Sequence, residues 1–253
     1  MYESIKSTLS RYPAVYEPLR KTLNTYRNLK IQYNNNRRLR KIQKQIWTHI
    51  KHKNSVFFVQ VGSNDGSHGD PIRDLVIRNT NWKGIFIEPI PFLFERLKKN
   101  YNNSERFIFE KIAISTQRGF QKFYYVCEEA KTELGGLPEW YDQLGSFDRN
   151  HILKHLQGKL EPYIIEEDIE TITMQEIFDR NNVEVIDLLH IDTEGFDYKV
   201  LSQVDFLRYK PCVIMYEHKH LSNDEKNLAK SLLEKYNYNC FSCGGDTLAF
   251  ING

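Results

Sequence analysis

The sequence predicts a doubly wound α/β domain preceded by a basic helical extension. Three observations carry this. Short, almost wholly apolar runs of strand length alternate with helix-like stretches from residue 55 onward, as parallel sheets covered on both faces require. The connections between them are short, so right-handed βαβ units follow. Charge is split along the chain. Residues 1–54 hold 13 Lys/Arg against Glu3 and Glu17, a net of +11, and the rest holds 22 Lys/Arg against 31 Asp/Glu, a net of −9. With 253 residues there is room for one sizeable domain and an appendage, which sets the boundaries at 1–54 and 55–253.

The extension reads as two helical stretches, about 2–10 and 36–52, separated around Pro13 and Pro18. In the second, Ile42, Ile46, Trp47 and Ile50 recur at helical spacing among Arg37, Arg38, Arg40, Lys41 and Lys44. Such a stripe packs on a neighbouring domain or lies on a bilayer interface. The body opens with a strand at Val56–Val61, VFFVQV, ending in Gly62. A helix near 70–79, a strand at Ile85–Glu88, a helix from Phe92 to Asn100 and a strand at Phe107–Ile114 follow. Further on come a strand at Val185–Ile191, a helix near 196–203, a strand at Cys212–Tyr216, a helix near 223–236 and strands near 238–242 and 247–251. The stretch 127–165 breaks the alternation with Gly135, Gly136, Pro138, Trp140, Gly145 and two histidines. An insert of this length beside a parallel sheet reads as a lid or substrate platform.

Composition excludes several classes. No apolar run approaches the 18 or so residues of a membrane span. The opening MYESIKSTLSRYP lacks the apolar core of a secretory signal, and four cysteines are too few for a disulfide scaffold. The expectation is a cytoplasmic protein, with the basic arm a candidate for peripheral contact with an anionic membrane at its inner face or with an acidic partner. Cys240 and Cys243 have no second pair with which to complete a zinc site, and read as reduced thiols.

The chemistry begins where the first strand runs into Gly62-Ser63-Asn64-Asp65-Gly66. Two glycines four apart let the backbone turn tightly and approach a ligand. The turn lies at the carboxyl end of a parallel strand, where open sheets bind ligands, but it is not the dinucleotide pattern G-x-G-x-x-G. The second strand ends at Glu88, with Pro89 and Pro91 stopping it. A carboxylate there offers two acceptor oxygens to the hydroxyl pair of a ribose, so turn and Glu88 together point to a nucleoside ligand.

VQVGSNDGS, GIFIEPIP, EKIAIS and IDLLHIDTEGFDYKVL resemble the successive motifs of the FkbM-type family of S-adenosylmethionine-dependent methyltransferases, over about residues 55–251. The most specific element is His190-Ile-Asp192-Thr-Glu194-Gly195, similar to the family's K-I-D-x-E-G. His190 stands where the family has Lys, and Gln60 where many such enzymes carry an acid. The resemblance implies a class I methyltransferase fold: a mostly parallel, Rossmann-like sheet of seven strands with the last antiparallel and helices on both faces. It also implies methyl transfer to oxygen, commonly on sugars or glycosylated metabolites. Carried over, Gly62, Ser63, Asn64, Asp65 and Gly66 wrap the methionine part of the cofactor. Glu88 and Pro89 meet its ribose, Ala113 and Ile114 border the adenine, and Asp192 faces the sulfonium. Glu194 either acts in the chemistry or caps the next helix.

An acceptor hydroxyl must lose a proton as the methyl arrives. In Met215-Tyr216-Glu217-His218-Lys219-His220, His218 is the preferred base, with His220 as the other candidate. Alternatively Asp192 and Glu217, on adjacent strand tips, hold a divalent cation, Mg or Mn, that activates the hydroxyl. Two rivals stand beside the sugar O-methyltransferase. One is an RNA methyltransferase using the basic arm, disfavoured by the −9 body, and the other is a nucleoside-binding regulator without turnover.

Overall fold

The computed structural model describes residues 13–102 and 104–251, so the helix expected at 2–10 lies outside the described residues. The chain divides into two compact units at Ile42/Gln43. A single helix, α1 (Pro13–Ile50), replaces the break expected around Pro13 and Pro18. Pro13 opens the helix, where its missing N–H costs nothing. Pro18 forfeits only one early backbone bond, so the helix runs through it. The last turns of α1 belong to the second unit. There Ile46 and Ile50 are buried, and the His49 ring stacks on Phe250 at 3.7 Å. Trp47 is left exposed, at 40% of its surface. Among the described residues no helix is long and apolar enough to cross a membrane.

The second unit is the α/β body. Its main sheet has seven strands: β1 (Val56–Val61), β2 (Trp82–Ile87), β3 (Phe107–Glu110), β7 (Leu188–Ile191), β8 (Val213–Glu217), β9 (Tyr238–Cys243) and β10 (Asp246–Ile251). Their order is β3-β2-β1-β7-β8-β10-β9, and β10 alone runs antiparallel to both its neighbours. The order reverses between β1 and β7, which makes their carboxyl ends the topological switch point where a crevice opens. β1 and β7 are buried almost end to end, and their apolar run follows from having a layer on each face. One layer is a cluster of Val59, Ile85, Ile177, Phe178, Leu189, Val200, Ile214 and Leu233.

Helices α2 (Arg73–Arg78), α3 (Pro91–Asn100), α6 (Met174–Arg180), α7 (Asp197–Leu201) and α8 (Asn223–Lys235) cover the sheet. α6 and α8 begin with full capping boxes, Thr173/Glu176 and Ser222/Glu225, which explains where they start.

The strand expected at Phe107–Ile114 is two elements. After β3 the chain leaves the main sheet, and β4 (Ala113–Ile114) joins β5 (Gly119–Val126) and β6 (Ile164–Ile172) in a second sheet of order β4-β6-β5. The insert hangs between β5 and β6. It contains α4 (Glu129–Leu134) and α5 (Arg149–Leu153), and buries its own core of Val126, Ala130, Tyr141, Leu144, Ile152 and Leu160.

Candidate functional site

The carboxyl ends of β1, β2 and β7 meet in one cleft. Gly62 has φ +76°, and a Cβ there would lie 1.7 Å from the Asp192 carbonyl oxygen. The loops after β1 and β7 therefore touch backbone to backbone, a contact that only glycine permits. Gly62 N and Ser63 N both donate to the Ile87 carbonyl at 3.0 Å, and this fixes the turn against β2.

Glu88 is buried at the end of β2. Its Oε2 accepts the Asn64 N–H at 2.8 Å and its Oε1 accepts the Ile90 N–H at 2.9 Å. Burial pushes its pKa up to about 7, against the pull of those two donors. Each oxygen keeps a second lone pair. The cleft wall continues through Pro89, Ile112, Ala113, Ile114 and Phe123, and Gln143, Gly145 and Phe147 of the insert close its far side.

Of the expected cofactor residues, Gly62, Asn64, Glu88, Pro89, Ala113, Ile114 and Asp192 line this cleft. Ser63, Asp65 and Gly66 do not. The Ser63 hydroxyl donates to the Gln60 carbonyl and accepts from Ile87 N–H, while Asp65 caps the turn through Ser67 N–H, His68 N–H and the His68 ring. Gly66 packs so closely on Leu97 and Tyr101 that a Cβ would lie 2.5 Å and 2.6 Å from them. These three shape the loop from behind.

Asp192 follows β7, its N–H donating to Val61 O at 2.9 Å. Its Oδ1 is buried without a hydrogen-bond partner. Burial, and next the charges of Glu217 and Glu194, hold its carboxyl well above the usual range. Glu194 has φ +49°, a left-handed conformation that is strained for a non-glycine residue, and it projects from the β7 loop. It does not cap α7, whose start carries no side-chain cap bond, and the carboxylate that organises this loop is Asp197. Asp197 Oδ2 lies within hydrogen-bond reach of the Thr193 N–H, Thr193 hydroxyl and Gly195 N–H, and Oδ1 accepts the Glu217 N–H at 3.1 Å. One carboxylate thereby clamps the tips of β7 and β8 together. Burial raises its pKa to about 7.

His218 is not in the cleft. Side chains alternate along a strand. Glu217 faces Glu194, whereas His218 faces the other way, with Nδ1 2.9 Å from the Thr247 hydroxyl, in a separate hollow with Tyr216, Lys226 and Cys240. His220, the other candidate base, lies beside the carboxylates of Glu194 and Glu217. Its Nε2 lies 3.3 Å from Glu194 Oε2 and 3.6 Å from Glu217 Oε2. Burial lowers its pKa to about 4, leaving a neutral imidazole. On the opposite side His151 of α5 brings its Nε2 to 2.9 Å from the same Glu194 oxygen.

The charge of Glu217 acts on Asp192, the residue expected to share a cation with it. Among the described residues, Glu217 converges with Glu194 and His220, and Asp192 is outside that group. His190, which precedes Asp192, is buried inside β7, and burial lowers its pKa to about 4.

Sequence reasoning missed Asp197, and it held His151 and His155 of the insert only as fallback candidates for the active centre. A short acidic run at a helix start hints at Asp197; nothing local reveals the approach of His151 to Glu194, which is brought about by the fold.

Three solved structures illustrate the likeness of the fold. The precorrin-6y C5,15-methyltransferase from Geobacter metallireducens GS-15 is 9% identical, covering 84% of this chain and 88% of its own, with a TM-score of 0.41. The Methanococcus jannaschii fibrillarin pre-rRNA processing protein is 12% identical, covering 79% and 68%, at 0.37. The human methyltransferase 10 domain containing protein is 12% identical, covering 85% and 81%, at 0.43. At these scores they carry no weight in the assignment. A search of curated proteins finds no match. The family profile described as "Methyltransferase FkbM domain" matches residues 60–240. The chain therefore belongs to the FkbM family of methyltransferases, whose methyl donor is S-adenosylmethionine.

Proposed function

We propose that the protein is an O-methyltransferase that methylates a hydroxyl of a sugar, glycan or glycosylated metabolite by direct in-line transfer. The observation that carries the reading is the convergence of Gly62, Glu88 and Asp192 in one cleft at the switch point, with a polar cluster on its open side. The residues fit the donor. A Cβ-free turn lies at Gly62, buried carboxylate lone pairs are offered by Glu88, and a buried unpartnered oxygen is offered by Asp192.

When bound, S-adenosylmethionine supplies a methyl group on a positively charged sulfur, which leaves as a neutral thioether while the carbon–oxygen bond forms. In this reading Gly62 and Asn64 hold the methionine end, and Glu88 accepts from the ribose hydroxyls. Ala113 and Ile114 flank the base, and Asp192 Oδ1 takes the acceptor's hydroxyl proton. Aligning acceptor oxygen, carbon and sulfur supplies most of the rate, and no covalent enzyme intermediate is required. Calorimetric titration of the full-length protein with S-adenosylhomocysteine, followed by mass-spectrometric detection of methyl transfer to a sugar panel, tests the reading. Absence of binding, or methylation of RNA in place of sugars, overturns it.

A second proposal concerns residues 1–54, which we take as a separate extension that docks the enzyme at the cytoplasmic face of an anionic membrane. Arg20, Lys21, Lys30, Arg37, Arg40 and Lys41 are exposed along α1, as are Leu23, Tyr26, Leu29 and Tyr33. Basic and apolar side chains exposed on one helix suit a headgroup interface.

A further inference from the structure

We infer that His151, His220, Glu194 and Glu217 form a site for a single divalent transition-metal ion at the acceptor side of the cleft. His151 is buried at 6% exposure, yet its Nε2 makes no hydrogen bond and faces the Glu194 carboxylate at 2.9 Å. Glu194 Oε2 and Glu217 Oε2 are likewise buried without hydrogen-bond partners. The approach of His220 Nε2 to these two oxygens, at 3.3 and 3.6 Å, links four donor atoms from three segments, and Glu194, Glu217 and His220 converge mutually within 4.8 Å. Four ligands held tetrahedrally at 2.0–2.1 Å stand about 3.3 Å apart, so the three separations of 2.9, 3.3 and 3.6 Å match edges of a coordination polyhedron.

The imidazole share decides the class of ion. Two nitrogen and two carboxylate ligands suit Zn²⁺, Mn²⁺ or Fe²⁺ and suit Mg²⁺ and Ca²⁺ poorly. His155 extends the set. Its Nδ1 lies 2.9 Å from the His151 carbonyl, which can only accept, so Nδ1 carries the proton and Nε2 presents a lone pair. One of its ring nitrogens falls within 4.8 Å of a ring nitrogen each of His151 and His220. Asp197, by accepting the Glu217 N–H and three donors of the 193–195 loop, holds the two strand tips that carry the carboxylates in register.

Glu194 belongs both to this group and to the wall of the cofactor cleft. The ion thus stands where an acceptor hydroxyl enters, and one of its four ligands, His151, arrives on the insert with His155 beside it. Resting on the methyltransferase reading, the ion's role is to bind the acceptor hydroxyl oxygen and make it easier to deprotonate.

The test uses full-length protein stripped with chelator and titrated with Zn²⁺, Mn²⁺ and Mg²⁺, with S-adenosylhomocysteine titrated separately. One equivalent of Zn²⁺ or Mn²⁺ should bind, and Mg²⁺ should bind at least tenfold more weakly. His151→Ala and His220→Ala should each weaken that binding at least tenfold, with S-adenosylhomocysteine affinity within about twofold of wild type reporting an intact fold. Co²⁺ substitution should give visible absorption that is lost in both variants. Stoichiometric failure to bind Zn²⁺ and Mn²⁺, or binding indifferent to both substitutions, overturns the site. Metal binding without S-adenosylhomocysteine binding would overturn the methyltransferase reading and leave the site standing.

Discussion

Replacing Glu88 with Gln separates the two jobs of this side chain. Its oxygens hold the Asn64 and Ile90 N–H groups at 2.8 and 2.9 Å, pinning the turn after β1 to the start of α3. The amide keeps one acceptor oxygen but turns an NH₂ toward the second backbone donor. That leaves a buried N–H unsatisfied, at a cost of about 1–3 kcal/mol to the fold. The same swap removes the charged acceptor offered to a ribose, and a hydrogen bond to a charged group contributes about 1.5–3 kcal/mol. S-adenosylhomocysteine should therefore bind at least tenfold more weakly, and up to about 100-fold. Calorimetry gives the affinity and a thermal melt confirms the fold. The wild type supplies an independent check. Burial has raised the Glu88 pKa to about 7, and a ligand donating to the carboxylate prefers the ionised form, so affinity should fall as pH drops below about 7. The raised value also means that this group's stabilising contribution is present at acid pH and is lost as pH rises through about 7. A folded Glu88→Gln protein binding within twofold of wild type, with no pH dependence in the wild type, refutes the ribose assignment.

Gly62→Ala should unfold the protein or lower its melting point by several degrees, because the new Cβ would lie 1.7 Å from the Asp192 carbonyl oxygen. A near-normal melt would mean that the β1 and β7 loops are not in contact. Asp192→Asn should leave S-adenosylhomocysteine affinity within a few fold while cutting turnover by about 10² or more, as steady-state and binding assays would show. His218→Ala should keep turnover close to wild type, since His218 shares its hollow with Thr247 and Lys226 and not with the cleft. A loss of 10²-fold or so would return it to the role of base. Neutralising Arg37, Arg40 and Lys41 together should weaken pelleting with anionic vesicles, at about 1 kcal/mol per charge, and added salt should mimic the loss. Unchanged pelleting would remove the membrane role from this arm.

Much of the main sheet was legible because its strands are too apolar to be anything but buried. VFFVQV and LLHI announce a parallel sheet, and Gly62 and Glu88 stand at their expected tips. The second sheet was not legible. β6, IIEEDIETI, carries four acidic residues on a half-exposed ribbon, and β4 is only two residues long, so neither shows the burial pattern that marks a strand. The continuity of α1 through Pro18 was missed because a proline near a helix start is nearly free, although it reads as a break. In the candidate site, strand parity could not separate His218 from His220, because the two share it. β8 ends at Glu217, and the turn that follows leaves His218 on Thr247 while carrying His220 back to Glu217 and Glu194. The two histidines of the insert, His151 and His155, were visible as fallback candidates, but the approach of His151 to Glu194 was not, since the fold alone brings the insert across.

The register of the small sheet has a bearing on how specificity can change. Val126 and Ile164 are ladder partners, so residues 127–163 leave and return at a single point on the body. The closure entropy of that excursion is already met by the hairpin beneath it. The segment is therefore a replaceable cassette. Another sequence of different length, grafted between the same two positions, would replace the far wall of the cleft at Gln143, Gly145 and Phe147 while Gly62, Glu88 and Asp192 keep their places. Such an exchange would also remove His151 and His155, so that on the proposed reading altering the acceptor preference and altering the metal preference become one engineering event.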